Sequence, residues 1–312
     1  MHANIMKCPI CKSRDLATIK PYAAENSFFA GSKICLCGAC GMQMISPFPS
    51  EDAWETYNKS YFVNAHGGLN SSKWIEAYNI GVAKTRLTAF IRYLDEQNVE
   101  LSSVLEIGPG QGYLMREFKK RLPTLDYYVV ESDPSVHGAL KRYGAVIVDA
   151  ADIKTIKPVD AVIATHVLEH TLDPIAFLRH FTSSLRPGGA VFIETPCLDH
   201  EYKDLHEPHV LFFEKSTLGR CFEMCGLQHI TLTYNGDVIK NLRRNGFIRK
   251  CLVKLEVRTG VPFRKLLGQY WANDQLFGLT YQQSLAIVET SPHIEQDMPA
   301  RWVRAFGKSK NV

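Results

Sequence analysis

The chain has 312 residues, of which 46% are hydrophobic and 22% charged, with a formal net charge of +4. That is ordinary globular composition, with room for one large domain and a small module and with no repeat or low-complexity stretch. Lysine and arginine are scattered and form no dense basic face, which argues against nucleic acid as a partner. The opening MHANIMKCPICK lacks the apolar core of a signal peptide, and no run approaches the roughly 20 apolar residues of a membrane helix. A cytoplasmic location without a membrane partner is the expectation.

Five of the nine cysteines fall within the first 40 residues. Cys8-Pro9-Ile10-Cys11 and Cys37-Gly38-Ala39-Cys40 are two C-x-x-C knuckles, each aiming two thiolates at one point. Together Cys8, Cys11, Cys37 and Cys40 supply the tetrahedral sulfur set that Zn²⁺ prefers, and residues 12–36 would form the hairpin of a zinc ribbon. Four sulfurs leave no open coordination position, so this zinc is expected to be structural. Cys35 is spare, because only Cys37 has the two-residue gap to Cys40. The module is expected over 1–50, ending in the Pro-rich Ser46–Ser50 linker. An aromatic and helical lead-in over 51–100 follows, with Trp54, Tyr57, Tyr61 and Phe62 either covering a ligand or packing against the module.

Ser103–Ile107 reads as a buried strand, Gly108-Pro109-Gly110-Gln111-Gly112 as a turn and Tyr113–Leu122 as an amphipathic helix. Strand, glycine turn and helix form the first unit of a doubly wound α/β sheet. The third glycine comes one residue too early for a dinucleotide fingerprint, and no Walker lysine follows. Glu106 precedes the turn, where a carboxylate would repel phosphate and suit a cationic nucleoside.

On these residues the chain resembles the class I S-adenosylmethionine-dependent methyltransferases, whose E-x-G-x-G-x-G motif is matched by Glu106, Gly108, Gly110 and Gly112. The resemblance implies a Rossmann-like seven-stranded sheet over 101–312. Glu131, after a second strand at 127–130, would hold the cofactor ribose. Asp149 and Ala150, after a third strand at 146–148, would hold the adenine. A fourth strand is expected at 160–164 and a fifth at 190–195, after the turn Leu185-Arg186-Pro187-Gly188-Gly189. Strand six is expected at 227–234 and strand seven at 284–290, with a basic helical insertion over 237–282 between them.

His166-Val167-Leu168-Glu169-His170 spells the H-x-x-E-H signature of inverted zincins. It follows directly on a buried strand, however, and a zincin motif needs a continuous helix. The expectation is that His166 contacts the cofactor and that Glu169 and His170 cap the next helix. After strand five, His206, Glu207 and His209 crowd one loop at the carboxyl edge of the sheet. His209 is the first candidate for the base that removes the acceptor's proton, with His206 second and Glu207 as an orienter. Substrate positioning, plain backbone bonding or a second zinc site are the other readings of this loop.

A four-cysteine module, a methyltransferase domain and a histidine-bearing loop after strand five also resemble bacterial sugar C-methyltransferases, in which His209 would match the loop histidine. A tyrosine of those enzymes falls at His206, and their long C-terminal domain has no counterpart of comparable length. The resemblance implies a sugar or nucleotide-sugar as the small-molecule partner. An RNA methyltransferase gripping nucleic acid through the ribbon, and a non-catalytic cofactor-binding protein, are the rival readings.

Overall fold

The computed structural model describes residues 6–22, 29, 31–66, 68–69, 73–202, 209–240, 242–243 and 295–310. Its N-terminal part contains β1 (Leu16–Pro21), β2 (Lys33–Cys37) and β3 (Gln43–Ser46), antiparallel in sequence order. Next come α1 (Glu51–Asn58), α2 (Tyr61–His66) and the long α3 (Lys73–Glu96). The α/β region runs β4 (Ser103–Ile107), α4 (Tyr113–Arg121), β5 (Asp126–Val130), α5 (His137–Arg142), β6 (Val146–Ile147), β7 (Val159–Thr165), α6 (Pro174–Thr182) and β8 (Leu185–Pro196). It closes with β9 (Leu211–Phe212), α7 (Lys215–Met224), β10 (Gln228–Val238), β11 (Glu295–Gln296) and β12 (Ala300–Lys308).

The large sheet has the order β11-β10-β12-β8-β7-β4-β5-β6. The strands from β6 to β8 are parallel, whereas β12 and β10 run antiparallel at the far side. Six of these strands, β4 to β8 and β10, are expected strands of the doubly wound set, β12 makes a seventh at a place where the sequence predicts no strand, and two-residue β11 extends the edge. The expected seventh strand, 284–290, lies outside the described residues, as does most of the expected insertion. The position beside β8 is taken by β12. Its side chains are apolar at Trp302, Val303 and Phe306 but include Arg304, only 1% exposed, and that buried arginine disguises a core strand in the sequence. The turn expected at 185–189 is continuous with β8, because Gly189 O and Gly188 N are both bonded to the C-terminal residues Ser309 and Lys310.

The residues of β7 are buried throughout, and α3 lays Phe90 against Phe192 at a centroid separation of 5.5 Å and an interplanar angle of 20°. The lead-in helix is thus packed into the α/β region. Trp54 and Tyr57 stack at 5.4 Å, and Trp54 meets Phe29 of the N-terminal part edge-on at 6.0 Å. Among the described residues, no helix is long and apolar enough to cross a membrane.

The amino end of the central sheet is tied by Asp160. Its Oδ2 accepts from Ser102 N (2.8 Å), Ser102 Oγ (2.7 Å), Ser103 N (2.8 Å) and Ser103 Oγ (2.9 Å), and Oδ1 accepts from Arg186 Nε. Burial alone would push this carboxyl up, but Arg186 and the serine donors outweigh it and hold the pKa at about 2 against an ordinary 3.8. A folded-state pKa below the unfolded one stabilises the fold above the unfolded pKa. Asp160→Asn is therefore expected to lose about 2 kcal/mol at neutral pH. Denaturant melts should show that gap narrowing as pH falls from 3.8 towards 2.

Candidate active site at the carboxyl edge of the sheet

The glycine turn follows β4 directly. Gly108, Gly110 and Gly112 have φ of +63°, +55° and +74°, a region that strains any residue with a Cβ. A Cβ on Gly108 would stand 2.6 Å from Val167 Cγ2, and one on Gly112 would stand 2.9 Å from Leu140 Cδ2. Gly108 N donates to Val130 O at 2.8 Å, and Gly110 N donates to Glu131 Oε2 at 3.0 Å, so the turn is latched to the end of β5. Glu131 Oε1 accepts from Asp133 N at 2.9 Å. Each oxygen keeps acceptor capacity for a hydroxyl. Burial pushes the Glu131 carboxyl up, and the Asp133 and Gly110 amides offset only part of this.

These groups line a first cavity of about 410 Å³, with Gly108, Gly110, Glu131, Tyr61, Phe62 and His166 in its wall. Phe62 N donates to Asp133 Oδ2 at 3.0 Å, which docks α2 over this cavity. In the aromatic segment, Trp54 both meets Phe29 of the N-terminal part and lines the cavity, together with Tyr61 and Phe62. Sequence reasoning missed Asp133, although its place two residues after Glu131 was a signal.

Glu106 lines neither cavity described here. It is 2% exposed, accepts from Tyr127 Oη at 2.7 Å, and is pushed up to about 7 by burial. It braces β4 against β5 behind the turn. Asp149 is exposed, and its Oδ1 accepts from Ala151 N at 2.9 Å. Neither it nor Ala150 lines the first cavity. Gly108→Ala would put a Cβ into Val167 at a left-handed position, a strain of about 1–2 kcal/mol. Cofactor affinity should fall about tenfold, as read by calorimetric titration.

A second cavity, of about 390 Å³, adjoins the first. Tyr61, Gly108, His166 and His170 belong to both walls. The rest of its lining includes Tyr78, Asn79, Tyr202, His209, Arg301 and Trp302. His166 stands at the junction with a left-handed φ of +57°, its Nδ1 3.4 Å from Glu169 Oε1 and its Nε2 3.5 Å from Glu194 Oε1. Burial would lower its pKa, but the two carboxylates outweigh that and raise it to about 9. It is therefore a cation at neutral pH and not a base.

The expected capping role of Glu169 and His170 is not what the structure shows. The N-cap of α6 is Asp173, whose Oδ1 accepts from Ile175 N and Ala176 N at 3.1 and 3.0 Å. Glu169 and His170 lie in a separate short 3-10 helix, Leu168–His170, in which Glu169 is buried and His170 lines both cavities. The reason is local: Asp173-Pro174 starts a new helix, so the residues before it are free to fold separately.

His209 is 2% exposed, and its Nδ1 lies 2.7 Å from Asp199 Oδ2. That contact turns Nε2 into the ring's remaining polar edge. His206 and Glu207 lie outside the described residues. Leu211 and Phe212, just beyond His209, pair with Met44 and Gln43 as the fourth strand of the N-terminal sheet. Tyr22 Oη donates to His209 O at 3.0 Å, and Ile45 N donates to Val210 O at 3.0 Å. The cysteine-bearing part of the chain thus holds the histidine loop in place. In it, Cys8 Sγ lies 3.5 Å from Cys40 Sγ, Cys11 Sγ 3.5 Å from Cys37 Sγ, and all four sulfurs lie within 4.8 Å of one another. Sulfurs bound at about 2.3 Å to one tetrahedral zinc have comparable separations.

Strand order, glycine turn and ligand cavities at the carboxyl edge are those of a class I S-adenosylmethionine-dependent methyltransferase domain. Residues 81–232 match the family model described as "Methyltransferase domain". A tRNA U34 carboxymethyltransferase of Campylobacter curvus (strain 525.92) is 29% identical over 113 residues, 33% of this chain and 37% of that protein. The match thus spans little more than a third of that relative's length. Among solved structures, a methyltransferase from Thermotoga maritima, described as a possible histamine N-methyltransferase, aligns with 82% of this chain and all of its own. The identity is 14% and the TM-score 0.49. The plantazolicin methyltransferase BamL, solved with S-adenosylhomocysteine and a triazolic desmethylPZN analog, aligns over 82% of this chain and 97% of its own. Its identity is 14% and its TM-score 0.47.

Proposed function

We propose that the chain methylates a small hydroxyl-bearing acceptor, a sugar or nucleotide-linked sugar, with His209 as the base. The observation that carries this reading is the second cavity. It offers hydrogen-bonding side chains on several sides (Tyr78, Asn79, Tyr202, Arg301) and one broad aromatic, Trp302. A sugar ring needs that mixture, because each hydroxyl is donor and acceptor while the ring's C–H face is apolar. At about 390 Å³ the space suits a single ring better than a length of polymer.

In this reading the first cavity takes S-adenosylmethionine, with the turn Gly108, Gly110 and Gly112 around its methionine end and Glu131 on its ribose. Asp149 and Ala150, at the same sheet edge after β6 but outside the wall of that cavity, would take an adenine that extends beyond it. When bound, the cofactor supplies an electrophilic methyl on a sulfonium, which leaves as a neutral thioether and needs no acid. The residues of this chain then have two tasks. Shared walls at Gly108, His166 and His170 align the acceptor oxygen with the methyl carbon. His209, its Nδ1 held by Asp199, would take the acceptor's proton on Nε2 as the oxygen is methylated.

Cys8, Cys11, Cys37 and Cys40 are assigned a structural zinc, on the sulfur separations above. Metal analysis should find one equivalent. Its removal by a chelator should lower the melting temperature and abolish turnover while leaving cofactor binding, because β9 and the His209 loop rest on that sheet.

The partial match to a tRNA-modifying protein favours RNA as a second reading. One experiment separates the two: methyl-labelled cofactor offered with a nucleotide-sugar pool and with total RNA. Label in the sugar pool supports the proposal, and label in RNA overturns it in favour of the second reading.

A further inference from the structure

Glu169 is 1% exposed, and neither of its carboxylate oxygens accepts a hydrogen bond among the described residues. A buried carboxylate in that condition has exchanged its water for one long ion-pair contact, and both oxygens keep acceptor capacity for a further partner. His166 Nδ1 stands 3.4 Å from Oε1. Two more histidines complete the surroundings: one donor atom each of Glu169, His170 and His209 lie within 4.8 Å of one another. The rings of His170 and His209 meet edge to face, 4.9 Å apart at 73°.

The cluster is held by its backbone. Val210 N donates to Glu169 O at 2.9 Å, which joins the two segments directly. Trp54 Nε1 donates to His170 O at 2.6 Å, and Tyr22 Oη donates to His209 O at 3.0 Å. Asp199 Oδ2 sits 2.7 Å from His209 Nδ1, the outer carboxylate that orients a metal-binding imidazole and raises the basicity of its other nitrogen. His170 and His209 both line the second cavity, which leaves an open side at the cluster. Two imidazoles and one carboxylate with an open side form a donor set suited to zinc and its neighbours, and not to magnesium or calcium.

We propose that Glu169, His170 and His209 bind one divalent cation of the imidazole-preferring class (zinc, cobalt or nickel), separate from the four-cysteine cluster. The cation gives the Glu169 oxygens a bonded partner in addition to the His166 ion pair. It also occupies Nε2 of His209, whose single lone pair cannot hold a metal and accept a proton at once. Loading the site therefore switches methyl transfer off. That inhibition, unlike the site itself, rests on His209 being the base.

The test is a titration of the full-length protein, as purified, with cobalt(II). The expected result is one further equivalent bound, with a ligand-field spectrum and no thiolate-to-metal charge-transfer band. Glu169→Gln and His170→Gln should each weaken that equivalent at least tenfold, and Asp199→Asn by about 10–100-fold. Melting curves without cobalt establish that each variant is folded, and His170→Gln decides the matter where Glu169→Gln is not. No further equivalent, a thiolate band, or an affinity indifferent to these substitutions overturns the site. Turnover falling in step with loading supports the inhibition. Turnover that rises with loading leaves the site standing and removes His209 as the base.

Discussion

His209→Ala is expected to lower turnover by about 10²–10⁴-fold, the usual contribution of a positioned general base. Cofactor affinity should be unchanged, because His209 lines the second cavity and not the first. Asp199 loses its imidazole partner, but the fold should survive, since the segment is held through its backbone: Tyr22 Oη bonds the His209 carbonyl, and β9 pairs through its main chain. Asp199→Asn should fall between wild type and His209→Ala, because an amide can present the wrong polar edge to Nδ1 and misorient the ring. Steady-state rates on a verified acceptor, together with calorimetric titration of the cofactor, separate the two effects. Full turnover by His209→Ala would return the histidine to a positioning role.

The second large effect lies at the centre of the sheet. Glu194 on β8 is fully buried and faces two guanidinium groups. Arg86 bonds Oε1 through Nη2 (2.6 Å) and Nε (2.8 Å), and Arg304 bonds Oε2 through Nε (2.5 Å). Arg304 reaches Asn235 and Thr85 with its remaining nitrogens, both at 3.4 Å. Burial would drive the Glu194 carboxyl up, yet Arg86 and Arg304 hold it well below the carboxylate range. Glu194→Gln keeps the shape and removes the charge, leaving the buried Arg304 and the partly buried Arg86 without their counter-ion. Breaking a buried pair in this way costs about 3–5 kcal/mol, a large part of the roughly 5–15 kcal/mol that holds a domain folded. Urea melts should show the midpoint falling by that proportion. His166 should feel the same change, since its Nε2 lies 3.5 Å from Glu194. A melt superimposable on wild type would mean that the two arginines find other partners.

Much of the domain was legible from the sequence because its signals are local. The buried run Ser103–Ile107, the three glycines and the helix after them form one continuous strand-turn-helix unit. Its backbone angles demand glycine, and that demand is written into the chain. The two C-x-x-C knuckles are local in the same sense, since each pair of thiols is aimed by a single tight turn. What only the tertiary structure decided depends on residues far apart in the chain. Glu194 and Arg304 become partners through an antiparallel register across 110 positions. Glu169 and His209 are brought together because Val210 bonds the Glu169 carbonyl. The histidine loop gains its support by adding β9 to a sheet that began at Leu16. Periodicity and motif spacing report how a segment folds on itself. Which buried charge meets which, and which loop completes which sheet, is set by strand order and register, properties of the assembled sheet that no single segment contains.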